Sequence, residues 1–164
     1  PEHGALVGNA ELKLLALHTP GHVGNHYCFL YREEGILFSG DHVMSGSTVV
    51  IIPPEGDMAA YLDSLDILES EEFALIAPAH GEPIENPKDE IVRVRKHRLA
   101  RERKVLAALQ DQPRNLDELV RQVYDDVPEA MHPWAKLSLE AHLIKLVAEE
   151  AATRTGDHWL RSAG

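Results

Sequence analysis

The sequence predicts an α/β (α+β) layered fold followed by a small, mainly helical domain, and three observations carry that prediction. Up to about residue 81, short apolar segments that stop at loops holding Gly or Pro alternate with a stretch of helical periodicity. Beyond Pro87, three helical stretches are followed by two β-prone pieces around a polar turn. The charge balance also changes. Residues 1–97 carry 6 basic and 16 acidic side chains, a net −10, whereas residues 98–164 carry 10 and 11, a net −1. Two domains, 1–97 and 98–164, are therefore expected.

In order along the chain, residues 11–17 are short, apolar and closed by Thr19-Pro20-Gly21, which predicts a strand and then a loop. Tyr27 to Tyr31 is rich in aromatics and reads as a second strand. The polar turn Arg32-Glu33-Glu34-Gly35 joins it to a third strand over 36–39, and its turn chemistry predicts a hairpin. Met58, Leu62, Leu65 and Leu68 have helical spacing, and 74–77 is a strand that stops at Pro78-Ala79-His80-Gly81. Residues 88–109 predict a long helix with Ile91, Val94, Leu99, Val105 and Leu109 as its apolar contacts. Asn115 is placed to cap the next helix, with Leu116, Leu119, Val120 and Val123 on its buried side. Pro133 suits the first turn of a helix over 135–149, with Leu137, Leu139, Leu143, Ile144 and Leu146 facing inward. Three helices and a hairpin over 151–160 give the outline of a winged helix.

Composition narrows the function. With 44% hydrophobic and 26% charged residues the chain is globular, not disordered, and it has no apolar run near the roughly 18 residues of a membrane span. Cys28 is the single cysteine, so no internal disulfide exists, and a reducing, cytoplasmic setting is expected. A net charge of −11 argues against broad affinity for nucleic acid. Arg93, Arg95, Lys96, Arg98, Arg101, Arg103 and Lys104 face only Glu102 within their own run. Such a helix could track a phosphate backbone, but a solvated connecting helix balanced by the acidic domain is the favoured reading. Trp134 and Trp159 are expected to pack in the core or against the wing, and Cys28 to be an inert core thiol.

Three loops that follow predicted strands hold potential metal ligands: Thr19-Pro20-Gly21-His22 with His26, then Ser39-Gly40-Asp41-His42, then Pro78-Ala79-His80-Gly81. Imidazole nitrogens and carboxylate oxygens suit Zn²⁺, and strand-end loops let distant residues converge. Glycine or proline in each loop fixes the backbone that carries the ligand.

These residues resemble a known family. Thr19 to His26, Phe38-Ser39-Gly40-Asp41 and Pro78-Ala79-His80-Gly81 are similar, in order, spacing and strand context, to the third, fourth and fifth metal motifs of the metallo-β-lactamase superfamily. The helical tail resembles that of the lactamase-beta-2 branch, which carries a C-terminal winged helix. The resemblance implies that the first domain is the C-terminal half of an αββα sandwich. It implies His22 as a ligand of a first zinc, Asp41 as the bridge between two zinc ions, and His80 as a ligand of the second. His26 would support the site. His42 would sit behind the ligands or touch substrate, or be merely structural, while His3 and His18 match no motif.

The upstream His-x-His-x-Asp-His motif of that superfamily does not occur in the 164 residues. The expectation is thus the C-terminal part of a longer enzyme, inactive and weakly zinc-binding by itself. The whole enzyme would hydrolyse an ester, thioester or phosphodiester by metal-bound hydroxide, with a small-molecule ester or thioester or single-stranded RNA as substrate, the latter making it an endoribonuclease. A half-sandwich is also expected to self-associate or to need a companion chain. The alternative is a non-catalytic module that binds nucleic acid or protein through its winged helix.

Overall fold

The computed structural model describes residues 1–162 and divides into two units. The first is built on a five-stranded sheet in the order β1 (Leu6–Gly8), β2 (Lys13–His18), β3 (Tyr27–Tyr31), β4 (Ile36–Gly40), β5 (Leu75–Pro78). Its pairs are antiparallel except β4 with β5, whose parallel connection runs through α1 (Met58–Glu69). β1 has no signal in the sequence beyond three residues; its register, Leu6↔Leu15 and Val7↔Leu14, is supplied by the edge of β2. Asp57 caps α1, accepting from the Ala60 N–H at 2.9 Å.

Period-two alternation sorts the sheet into two faces. Leu15, Leu17, Cys28, Leu30, Leu37 and Ile76 are buried, together with Met58, Tyr61, Leu65 and Leu68 of α1. Each such aliphatic side chain contributes on the order of 1.5–3 kcal/mol through its removal from water. On the opposite face Phe29 lies across from Phe38 and Tyr31 across from Ile36. Phe38 is 42% exposed and the other three are half-buried. A sheet with one aliphatic face buried and one aromatic face half-open is the arrangement expected of half a sandwich.

α2 (Pro87–Ala108) belongs to the first unit up to Lys96 and to the second from His97. Pro87 begins it and Asp89 and Glu90 lie in its first turn, as the helix dipole favours. Its basic run is largely neutralised at home. Arg93 pairs with Glu90, Arg95 with Asp66 and Glu69, Arg101 with Asp126 and Lys104 with Asp125.

The second unit holds the rest of α2, α3 (Leu116–Val123), α4 (His132–Ala148) and the hairpin of β6 (Ala152–Thr155) and β7 (His158–Arg161). Asn115 and Glu118 form a reciprocal capping box at α3. Val105, Leu119, Val123, Leu139, Leu143, Leu146 and Trp159 are among the residues of one core cluster. Two expectations about burial are corrected here. Trp134, in the first turn of α4, is 56% exposed and lies on its outer side, and Ile144 is 41% exposed. Val50–Pro54, expected with the first domain, groups with the second unit, where the Ile51 N–H donates to Ser138 Oγ at 3.3 Å. Among the described residues no helix is long and apolar enough to cross a membrane.

Candidate metal centre

The first loop is tight because its backbone closes on itself. The Thr19 N–H donates to His26 O at 3.0 Å and the His26 N–H to Val23 O at 3.3 Å. Gly21 takes φ +137, and a Cβ there would stand 2.3 Å from Tyr61 Cα, so the loop lies directly on α1. His22 is half-buried in this loop. His26 points back toward the Asp41 loop: a Cβ on Gly40 would be 2.7 Å from His26 Nε2, while His26 Nδ1 lies 2.9 Å from Thr19 Oγ1. Burial, and then the neighbouring His22, lower the proton affinity of His26 below that of an ordinary imidazole, although Asp41 opposes them.

The second loop leaves β4 through a register shift between Phe38 and Gly40. Gly40 takes φ +54, and the His42 N–H donates to Ser39 O at 3.1 Å. The third loop is tied to it where the Ala79 N–H donates to Gly40 O at 2.9 Å, and the pair Ile76↔Ile84 closes its base. Asp41 and His80 are thereby brought together, with Asp41 Oδ1 3.4 Å from His80 Nε2. His42 is buried, its ring centroid 4.5 Å from that of Tyr61 and 5.6 Å from that of His26, and the Tyr61 hydroxyl donates to His42 O at 2.7 Å.

The donors present fit a metal ion in kind. Asp41 Oδ1 is shielded from solvent and accepts no hydrogen bond, while the side chain as a whole is 37% exposed, and a cation would satisfy the oxygen. Among the described residues no three His, Cys, Asp or Glu side chains form a group that could hold a metal ion. The structure thus gathers Asp41 with His80 and does not gather His22 into the same cluster.

Residues 1–80 match the Metallo-beta-lactamase superfamily, and residues 116–159 match the Beta-lactamase associated winged helix domain. A solved metallo-beta-lactamase family protein from Thermus thermophilus superposes with a TM-score of 0.83 at 27% identity, over 98% of this chain and 53% of its own. The chain belongs to the metallo-β-lactamase superfamily. Among curated relatives of this superfamily member, an atrochrysone carboxyl ACP thioesterase of Aspergillus chevalieri is 34% identical over 148 residues, 85% of this chain and 46% of the relative. A Beta-lactamase-like protein 2 homolog of Drosophila melanogaster is 35% identical over 136 residues, 81% and 45% respectively. The chain spans about half the length of the relatives it matches.

Several residues that shape these loops have roles the sequence did not show, although Thr19 and Ser39 stand within the loop motifs. Thr19 is buried and links His26 to Cys28, its Oγ1 lying 3.3 Å from Cys28 Sγ. Ser39 Oγ donates to Val43 O at 2.7 Å and shapes the turn after Asp41. His18, which matches no motif, braces the first loop, with Nε2 3.0 Å from Gly24 O. The sequence signal for all three roles is only adjacency: each stands at a strand end, one or two residues before a motif glycine or proline.

Proposed function

We propose that the whole protein is a dinuclear zinc hydrolase acting on a small ester or thioester, and that this chain supplies His22, Asp41 and His80 to its metals. The observation that carries the reading is the buried, unbonded Asp41 Oδ1 lying 3.4 Å from His80 Nε2. Two donor atoms about 2.1 Å from one tetrahedral zinc stand roughly 3.4 Å apart, so the pair already has the separation of ligands that share an ion. Asp41 would serve both metals, His22 the first and His80 the second. Bound there, zinc would supply the Lewis acidity that polarises a carbonyl or phosphoryl oxygen. The other residues hold these ligands in place. His26 packs against Gly40, and the burial of His42 beside Tyr61 favours a supporting role behind the Asp41 turn over a contact with substrate.

A thioester is favoured over single-stranded RNA by two facts. The thioesterase relative shares 34% identity over most of this chain, and Arg93, Arg95, Arg101 and Lys104 of α2 are already engaged by carboxylates. The binding-module alternative loses ground for the same reason, since α4, the helix a winged helix would offer, has Lys136 paired with Asp117 and Lys145 with Glu102. The half-open aromatic face of the sheet is the surface we assign to a covering partner, either a second sheet of the whole protein or a second copy.

The test uses the full-length protein with an acyl thioester and with single-stranded RNA over a salt series. Zinc-dependent thioester turnover with little salt dependence is expected. RNA cleavage that falls steeply with salt, without thioester turnover, would overturn the substrate assignment. Sedimentation of the 164-residue chain checks the covering partner. Concentration-dependent association is expected, and a clean monomer across a wide range would refute it.

A further inference from the structure

The loop that carries Asp41 continues into a turn at Ser45-Gly46-Ser47, and this turn comes back against the His80 loop. Gly46 takes φ +69 within it. At Gly81, φ is +88, and a Cβ there would lie 2.8 Å from Ser45 Cβ and 3.3 Å from Ser45 O. The peptide that follows His80 therefore rests on Ser45 with no space for a side chain between them. One end of the turn is held by Ser39 Oγ, donating to Val43 O. The other end is held from α2, where Arg93 Nη2 donates to Ser47 O at 3.0 Å.

The guanidinium is itself held. Its Nε donates to Glu90 Oε2 at 2.8 Å and its Nη2 to Glu90 Oε1 at 2.7 Å, a fork across one turn of the helix. An i,i+3 surface pair by itself contributes a few tenths of a kcal/mol to a helix and nothing to a distant site. The bond to a carbonyl 46 residues away is what gives this pair a second role. A cleft of about 550 Å³ opens beside it, lined by Ser45, Gly46, Ile84, Glu90 and Arg93 among others. His80 needs a support of this kind. Its side chain is 75% exposed, so little packing fixes the ring, and the peptide beneath it sets where Nε2 points.

We propose that Arg93, steered by Glu90, is a positioning residue for the second metal site: by fixing Ser47 it holds the Ser45 wall on which the His80–Gly81 peptide rests. The proposal rests on the assignment of His80 as a ligand and adds the device that aims it. Arg93 acts through backbone, so its removal should change how well a metal is held without removing any donor atom.

The experiment is a chelator-competition titration of the full-length protein with Zn²⁺ alone, for wild type, Arg93→Ala, His80→Ala and the double variant. Arg93→Ala should weaken the second zinc about 10- to 100-fold, as loss of a supporting residue does, and leave the first within about threefold. In the His80→Ala background it should add nothing, because its effect passes through His80. Arg93→Lys, which keeps one donor for Ser47 O, should restore part of the loss. An unchanged second site in Arg93→Ala, or a loss that adds fully to that of His80→Ala, would overturn the role. If His80→Ala itself left the second zinc unchanged, the ligand assignment would fall and the positioning role with it. Should Arg93→Ala not fold, Glu90→Gln carries the same cycle. A second-site loss that vanishes in the His80→Ala background supports the role, and an unchanged second site refutes it.

Discussion

Gly21 and Gly24 stand three residues apart in the loop that carries His22, and their surroundings set them far apart in consequence. A Cβ on Gly21 would meet Tyr61 backbone at 2.3 and 2.6 Å with φ at +137, whereas one on Gly24 would meet nothing within 4 Å. Strained φ and backbone overlap each cost on the order of 1–3 kcal/mol. Gly21→Ala should therefore lower the stability of the first unit by about 3 kcal/mol, and Gly24→Ala by less than about 1 kcal/mol. Chemical denaturation of both variants checks this, and equal midpoints would refute it. The sequence showed that Pro20 and Gly21 shape the backbone beside His22, but not which glycine is indispensable, since the residue it meets is Tyr61, 40 residues away. Thr19 and Ser39 were legible as members of the loop motifs but not in their roles, since a buried hydroxyl that bonds across a loop leaves no periodicity. Cys28 was legible as an inert thiol, and burial pushes its pKa up to about 12.

At the level of elements, aromatic content located Tyr27–Tyr31 and helical spacing located Met58–Glu69, both at their observed bounds. The basic stretch of α2 was legible as a helix, but its partners were not, because Asp66, Glu69 and Asp126 reach it only through the tertiary fold. Within the second unit, α2 and α4 also share a buried polar cluster. His142 Nδ1 lies 3.3 Å from Glu102 Oε2, and Lys145 Nζ donates to Glu102 Oε1 at 2.9 Å, while Arg98 lies near enough to be felt by the imidazole. Burial outweighs the Glu102 contact and lowers the His142 pKa. For Glu102, burial alone would raise the carboxyl, but its bonds to His142 and Lys145 hold it below the ordinary value. Both folded-state values lie below their unfolded ones, so both groups favour the native state at neutral pH. The His142 contribution fades as pH falls below about 6.5, and the Glu102 contribution fades below about 4.5. Trp159 fluorescence in a Trp134→Phe background should show the urea midpoint of this unit falling between about pH 7.5 and about pH 5, with His142→Leu flattening that limb. A wild-type midpoint constant over the range would contradict the sign.

For the whole molecule, the sequence made both the sheet half and the winged helix readable, since each is a run of local patterns with its own core. What stayed hidden was whatever joins distant segments: the short edge strand β1, the grouping of Val50–Pro54 with the second unit, and the outward placement of Trp134. The candidate site was readable as ligand types in three loops, and the structure adds that two of them converge. The claim on which the functional account depends is that Asp41 is a shared metal ligand. It is tested most directly by elemental analysis of zinc in the full-length protein and in its Asp41→Ala variant, each shown by circular dichroism to be folded. The account predicts two zinc ions per chain in the wild type and fewer than one in Asp41→Ala. Two zinc ions retained in a folded Asp41→Ala protein would contradict it.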